Sequence, residues 1–367
     1  MPNKELLQNV LNTNKPTGKS DLQSLKAGPH SGLAQALEKI FSLSVSSALQ
    51  ENVKNVVQSF RNELSTDMLL SRLSSEEILK PCVDIVLENL STNKPSIFEA
   101  GAASSALYRK IIPFVTSHPL KMVNYTAADK NALDKDAKNL GVKSSQWDLS
   151  TAKSIPPGQV QLLVLKNVLH KQADVDQSLA MVSEMVSPEG FVLVEEVTQN
   201  FPVYLALEAL SEKLSDNSTP DVCRMCGCYL SEGSWVEVFT RHKYEIVYRK
   251  SDNLLSTMFL LRKIIEIPSP TLVFINDLEC SWLEDLKTKV RELDSAPENA
   301  RLWIAANDTV SGLAGFITCL RTEAGGNKVR GLLVSNLDTS SAKPDISTSS
   351  QEFKQLCQKD LVSNVFR

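Results

Sequence analysis

Apolar positions along the chain change their spacing in stages, and each stage predicts a different kind of element. Residues 1 to about 30 mix Asn, Lys, Ser, Pro and Gly without periodicity, the pattern of a linker or loosely attached arm. Leu33, Leu37, Ile40 and Phe41 then recur at helical spacing, as do Val53, Val56, Val57, Phe60 and Leu64. Ser74 and Ser75 before Glu76 and Glu77 give an N-cap signal, after which Leu79, Cys82, Val83, Val86, Leu87 and Leu90 fill one stripe. Together these predict an N-terminal helical cap over one end of the rest of the chain.

From Ser96 the spacing switches to short apolar runs alternating with helical stretches, the mark of an α/β, doubly wound sheet. Strands are predicted at Ser96–Phe98, Met122–Thr126, Gln161–Leu165 and Phe191–Val194, with another expected before Asp148. Tyr244–Arg249 and Thr257–Arg262, joined by KSDNLLS, read as a closing antiparallel hairpin. Beyond Pro268 and Pro270 a second unit begins: strand TLVFIND, helix Trp282–Leu293, strand Leu302–Ala306, helix Ser311–Leu320, a Gly325-Gly326-Asn327 turn and strand Arg330–Ser335. A polar segment precedes a last helix and a closing strand in DLVSNVFR. The expected domains are a linker and helical cap at 1–95, a first sheet domain at 96–265, and a second, truncated Rossmann-like domain at 266–367. Half a doubly wound domain ending in a strand suggests a piece of a longer chain.

Composition narrows the partners. With 39 basic and 43 acidic residues dispersed along the chain, net charge −4, no basic block exists to bind nucleic acid phosphates. No stretch approaches the roughly 20 apolar residues of a membrane span, and no secretory core is present, so neither membrane nor export is expected. Seven cysteines, an odd set, suit a reducing, cytoplasmic compartment. Cys223, Cys226 and Cys228 crowd into CRMCGC with His242 as the nearest histidine, but no second CxxC accompanies them and no metal is expected.

Candidate chemistry gathers after Ser96. SIFEAGAASSALYRKIIP reads as a nucleotide-binding strand, turn and helix. It resembles the opening of S-adenosylmethionine (SAM) methyltransferases, in which an acid precedes glycines at alternate positions. Glu99 and Gly101 fit, but Ala103 and Ser105 stand where further glycines would be. A Cβ at each costs about 1 kcal/mol if φ is positive, and more through contact with the cofactor. Asp129, closing the second strand, is placed to accept ribose hydroxyls, and Asp148 to hold an adenine amino group beside a stacking Trp147. Taken singly, each acid reads first as a turn former or helix cap; their order and spacing after Glu99 tie them together. His170 and Glu196 close the fourth and fifth strands at the same sheet edge, where they could act as a base and its orienting carboxylate. The plainer alternative is a histidine capping a strand end and a glutamate facing solvent.

LKPCVDIVLENL, EAGAASSALYRKI, YTAADKN, SQWDLS and NVLH with GFVLVEE resemble the methyltransferase segment of animal fatty acid synthases and related iterative polyketide synthases. RLWIAANDTVSGLAGFITCLRTEAGGNKVRGLLVSNLD and DLVSNVFR resemble the truncated ketoreductase-like segment that comes after it. The resemblance implies a pseudo-methyltransferase and a pseudo-ketoreductase, both non-catalytic, packed beside the reductase and dehydratase domains of a multienzyme that also holds an acyl carrier protein. It implies no cofactor in this segment, with NADPH bound elsewhere in the parent. His170 and Glu196 depart from that decayed pattern, matching the dyad of active polyketide C-methyltransferases. The alternative is therefore a SAM-dependent C-methyltransferase acting on carrier-bound β-ketoacyl chains. In the second unit no Tyr-x-x-x-Lys and no G-x-G-x-x-G occur. Ser311-Gly312-Leu313-Ala314-Gly315 reads as small residues that let a helix pack close on a sheet.

Overall fold

A computed structural model describes residues 76–366 except 103–105, 120, 130–134, 148, 150–156, 173, 199–229, 252–255, 268–269, 276–278, 307–311 and 335–348. The helices predicted between residues 33 and 64, the Ser74–Ser75 cap, Ala103, Ser105, Asp148 and the CRMCGC run lie outside the described residues.

The described chain opens with α1 (Glu76–Asn89). Its predicted stripe is the face it buries: Leu79, Cys82, Val83, Val86, Leu87 and, just past its end, Leu90 are all within 5% of full burial. Each such side chain stabilises the packed state by about 1.5–3 kcal/mol.

The first sheet contains β1 (Ser96–Ala100), β2 (Asn124–Asp129), β3 (Lys143–Gln146), β4 (Val160–Lys166), β5 (Val186–Val197), β6 (Tyr244–Ser251) and β7 (Ser256–Lys263). Their order is β3-β2-β1-β4-β5-β7-β6. β1 to β5 run parallel, and β7 inserts antiparallel between β5 and β6. That hairpin, expected from the sequence, is the feature that separates a methyltransferase-like sheet from an ordinary dinucleotide-binding one. Strand order reverses between β1 and β4, the switch point at which open α/β sheets leave a crevice.

Alternating strand residues divide between two cores. Ile97, Val164, Leu193 and Leu260 face α1 and α2 (Tyr108–Thr116). Phe98, Leu163, Val194 and Phe259 face α4 (Val175–Met185) and α5 (Glu232–Arg241). A short α3 (Lys135–Asn139) links β2 to β3. Local capping fixes the helix starts: Asp174 accepts from the Gln177 amide at 2.9 Å and Ser231 from the Ser234 amide at 3.1 Å.

The second sheet is four parallel strands in the order β11-β10-β9-β8: β8 (Thr271–Phe274), β9 (Leu302–Ala306), β10 (Val329–Val334) and β11 (Ser363–Phe366). α6 (Leu283–Ser295) and α7 (Leu313–Leu320) cover one face through Leu286, Leu293, Leu313 and Ile317. α8 (Gln351–Lys359) covers the other through Phe353 and Cys357. Lys328, buried, donates its ammonium to the Leu293 and Ala296 carbonyls at 2.8 and 2.7 Å, closing the end of α6.

One sequence expectation is corrected here. Gly315 lies on the exposed side of α7, and a Cβ there would meet nothing within 4 Å. The close approach of α7 to the sheet is made at Gly331 in β10, where a Cβ would lie 3.0 Å from Ile317 Cγ1. A sheet residue, not a helix residue, had to be small.

Candidate functional site

The C-terminal ends of β1, β2, β4 and β5 form one rim. β1 delivers Glu99 into the interior, fully buried. Its carboxylate accepts from the Leu107 amide at 2.8 Å and the Tyr108 amide at 3.0 Å, the first free amides of α2. It also accepts from the Tyr125 hydroxyl at 2.8 Å. Burial, and then the Glu99 charge beside it, push the Tyr125 phenol well above its ordinary value. An acid at the head of a helix is favoured by the helix dipole, so Glu99 ties the β1 turn to α2.

Gly101 comes next with φ +73°, a conformation that costs a residue with a Cβ. A Cβ built there would come within 2.9 Å of Val168 Cγ2. Val168, from the loop after β4, therefore leans over the turn. Asp129 closes β2, partly exposed, and its carbonyl accepts the Trp147 amide at 3.1 Å. Trp147 sits in the core, edge-on to Phe98 with ring centroids 5.1 Å apart, and its indole nitrogen has no protein partner.

His170 and Glu196 meet as the sequence suggested. Parallel pairing of β4 and β5 brings their ends together, and His170 stands in a single 3-10 turn, Leu169–Lys171, directly after β4. His170 Nδ1 lies 2.5 Å from Glu196 Oε2. The second carboxylate oxygen accepts from the amides of Val168 at 3.1 Å and Leu169 at 2.7 Å. Glu196 is fully buried and does not face solvent; it holds both the loop and the imidazole. In chemical terms this is an oriented base with its carboxylate, able to hold a proton at the ring edge.

Beside this pair lie residues that sequence reading missed. Lys166 and Glu195, paired in register, form a buried ion pair at 3.4 Å. Asn167 is next in the chain with φ +53°, its amide bonded to the Glu195 carbonyl at 2.8 Å and its side-chain oxygen buried without a protein partner. A lysine ending the apolar run VQLLVLK was the one available signal.

A sulfonium nucleoside is the cofactor that the sequence resemblance would place at this rim. The described residues keep the Gly101 turn and the Asp129 carboxylate of such a site. Glu99 accepts from three protein donors and Trp147 sits in the core. His242, the histidine nearest the CRMCGC run in sequence, has Nε2 2.6 Å from Asp176 Oδ1.

The second unit supplies the deciding observation. Residues 279–367 match the family model for the fatty acid synthase pseudo-KR domain. This pseudo-KR unit, preceded by a methyltransferase-like sheet, fits the pseudo-methyltransferase plus pseudo-ketoreductase segment expected from the sequence. Solved methyltransferases overlay the chain at low identity. The trans-methyltransferase CalH, in complex with SAH, is 17% identical with a TM-score of 0.47, over 72% of this chain and 84% of that one. The DszA carbon methyltransferase gives 15% and 0.47 over 67% and 69%. The CurJ carbon methyltransferase gives 15% and 0.42 over 71% and 70%. The assignment of the first sheet rests on its strand order.

Proposed function

We propose that this chain is a non-catalytic structural segment of a fatty acid synthase-type multienzyme, acting in fatty acid biosynthesis. In this reading a degenerate SAM-methyltransferase domain and half a ketoreductase place and support neighbouring reductase and dehydratase domains. The observation that carries it is the pseudo-KR half-sheet. Its strand β8 has a neighbour on one side only among the described strands, and Phe274 at its end is 40% exposed. An open parallel edge beside an exposed phenylalanine is a surface built to be covered. The absence of Tyr-x-x-x-Lys anywhere in the chain supports docking over reduction. NADPH and the acyl carrier protein then belong to other parts of the parent. A cytoplasmic site accords with the cysteine content; among the described residues no helix is long and apolar enough to cross a membrane.

A second reading has one specific observation in its favour, the intact 2.5 Å contact between His170 and Glu196. It makes the first domain a C-methyltransferase for β-ketoacyl chains on a carrier protein. Titration calorimetry with SAM and S-adenosylhomocysteine, then a methyl-transfer assay on a β-ketoacyl thioester, separates the two. The scaffold reading expects no methylated product. Binding together with carbon methylation overturns it and establishes the enzyme.

A further inference from the structure

The two sheets meet at their N-terminal ends, away from the rim just described, and one buried carboxylate is shared across that contact. Asp360 comes directly after α8 in the left-handed conformation, φ +48°, and is 1% exposed. Arg301, immediately before β9, donates through Nε and Nη2 to its two oxygens at 2.8 and 2.9 Å. Arg330, the second residue of β10, does the same at 2.8 and 3.0 Å. The third guanidinium comes from the other unit. Arg262 near the end of β7 reaches Asp360 Oδ2 at 3.3 Å and donates a second bond to the Asp360 carbonyl. Its far face lies over the Phe191 ring, 5.0 Å from the centroid. Beside this node Asn89, ending α1, accepts the Val362 amide at 2.7 Å through its side chain and Arg321 Nη2 at 3.1 Å through its carbonyl.

Three guanidiniums on one buried carboxylate give an excess of positive charge in the interior. A hydrophobic contact of the same size would hold two surfaces together more cheaply, but at no fixed angle. Bidentate arginine–carboxylate geometry sets direction as well as distance. We infer that the Asp360 node is a rigid joint by which the methyltransferase-like sheet and the pseudo-KR half-sheet form one body. Both C-terminal rims and the open β8 edge are thereby presented at a fixed mutual orientation. Arg262 is the positioning residue, since Arg301 and Arg330 already neutralise Asp360 within the pseudo-KR unit.

The test is a full chain carrying a protease site between Pro268 and Pro270, nicked after purification. The nicked wild-type halves should co-elute on gel filtration and melt in one transition. Arg262→Ala, which removes both bonds to Asp360 and the packing on Phe191 and puts no apolar side chain in their place, should weaken their association on the order of thirtyfold or more and split the melt in two, with hydrogen exchange in β9 to β11 still slow. Should that variant fail to fold, Arg262→Lys, which keeps the charge but loses the fork, decides the matter by the same readouts and should also separate more readily than wild type. Separation of the nicked wild-type halves, or co-elution with a single melt in whichever variant folds, overturns the joint.

Discussion

The two units bury carboxylates for different ends. In the methyltransferase-like unit Glu99 and Glu196 are each satisfied by a pair of backbone amides plus one side chain, and both lie at the C-terminal ends of strands. In the pseudo-KR unit Asp360 is satisfied by arginines and lies at the N-terminal ends. Backbone amides donate to a carboxylate at little cost and shape a loop. Arginines bring their own desolvation penalty, and repay it only by fixing parts that would otherwise slide. The rim acids organise loops within one domain, whereas the joint acid organises two domains.

The largest expected effect comes from the joint. Asp360→Ala leaves three buried guanidiniums without their carboxylate and should cost about 3–5 kcal/mol in urea denaturation. Glu99→Ala strands the Leu107 and Tyr108 amides and the Tyr125 hydroxyl, and should cost about 2–3 kcal/mol, since buried donors without acceptors pay their desolvation in full. Were the order of these two reversed, amide-held acids would be the costlier kind and the contrast would fail.

Acid sharpens the same contrast. Burial pushes the Asp360 carboxyl up, but the guanidiniums of Arg330, Arg301 and Arg262 overturn this and hold it well below the usual carboxylate range. Because the folded value is depressed, the stabilisation is fully present above the unfolded value of about 3.9 and is lost only as pH falls through the folded one. Near-ultraviolet circular dichroism should therefore show the pseudo-KR unit, with Trp303 buried against Phe353, intact at pH 4. Loss of that signal between pH 5 and 4 would mean that the node does not hold its charge.

Much of the fold was legible because buried strands announce themselves. Leu302–Ala306 was read to the residue, since all five positions are buried. β3, by contrast, is KSSQ, an edge strand with no buried residue, and only the spacing around it hinted at a strand. β5 begins earlier than its apolar run because Val186 pairs with Val160 across a register shift, through a Ser-Pro-Glu-Gly stretch that reads as a turn. The His170–Glu196 pair was legible because parallel strands of known order bring their ends together. The Asp360 node was not, because Arg262, Arg301, Arg330 and Asp360 are spread over three strands' ends and a helix cap, and each alone resembles a surface charge. Nothing in local sequence distinguishes an arginine that points at solvent from one that crosses to another sheet.

The smaller predictions concern what the rim acids hold. Glu196→Gln keeps an acceptor for the Val168 and Leu169 amides, so it should cost only about 1 kcal/mol in stability. The charge-assisted bond to His170 is lost, however, and the imidazole should no longer be fixed in one orientation. Proton NMR should then lose any strongly deshielded Nδ1–H resonance present in the wild type. Thiol labelling extends the contrast to residues beside the two kinds of acid. Burial, and secondarily the charge of Glu195, push the Cys82 thiol up to about 12; burial and Asp360 do the same for Cys357. Cys280 and Cys319 are exposed. At pH 8 in native buffer an alkylating reagent should modify the exposed pair and spare Cys82 and Cys357, because the thiolate is the reactive form. Cys357 lies three residues before Asp360, so Arg262→Ala should raise its labelling while leaving Cys82, packed under the first sheet, unchanged. Equal acceleration at both cysteines would show that Arg262 supports the first unit's core and not the joint alone.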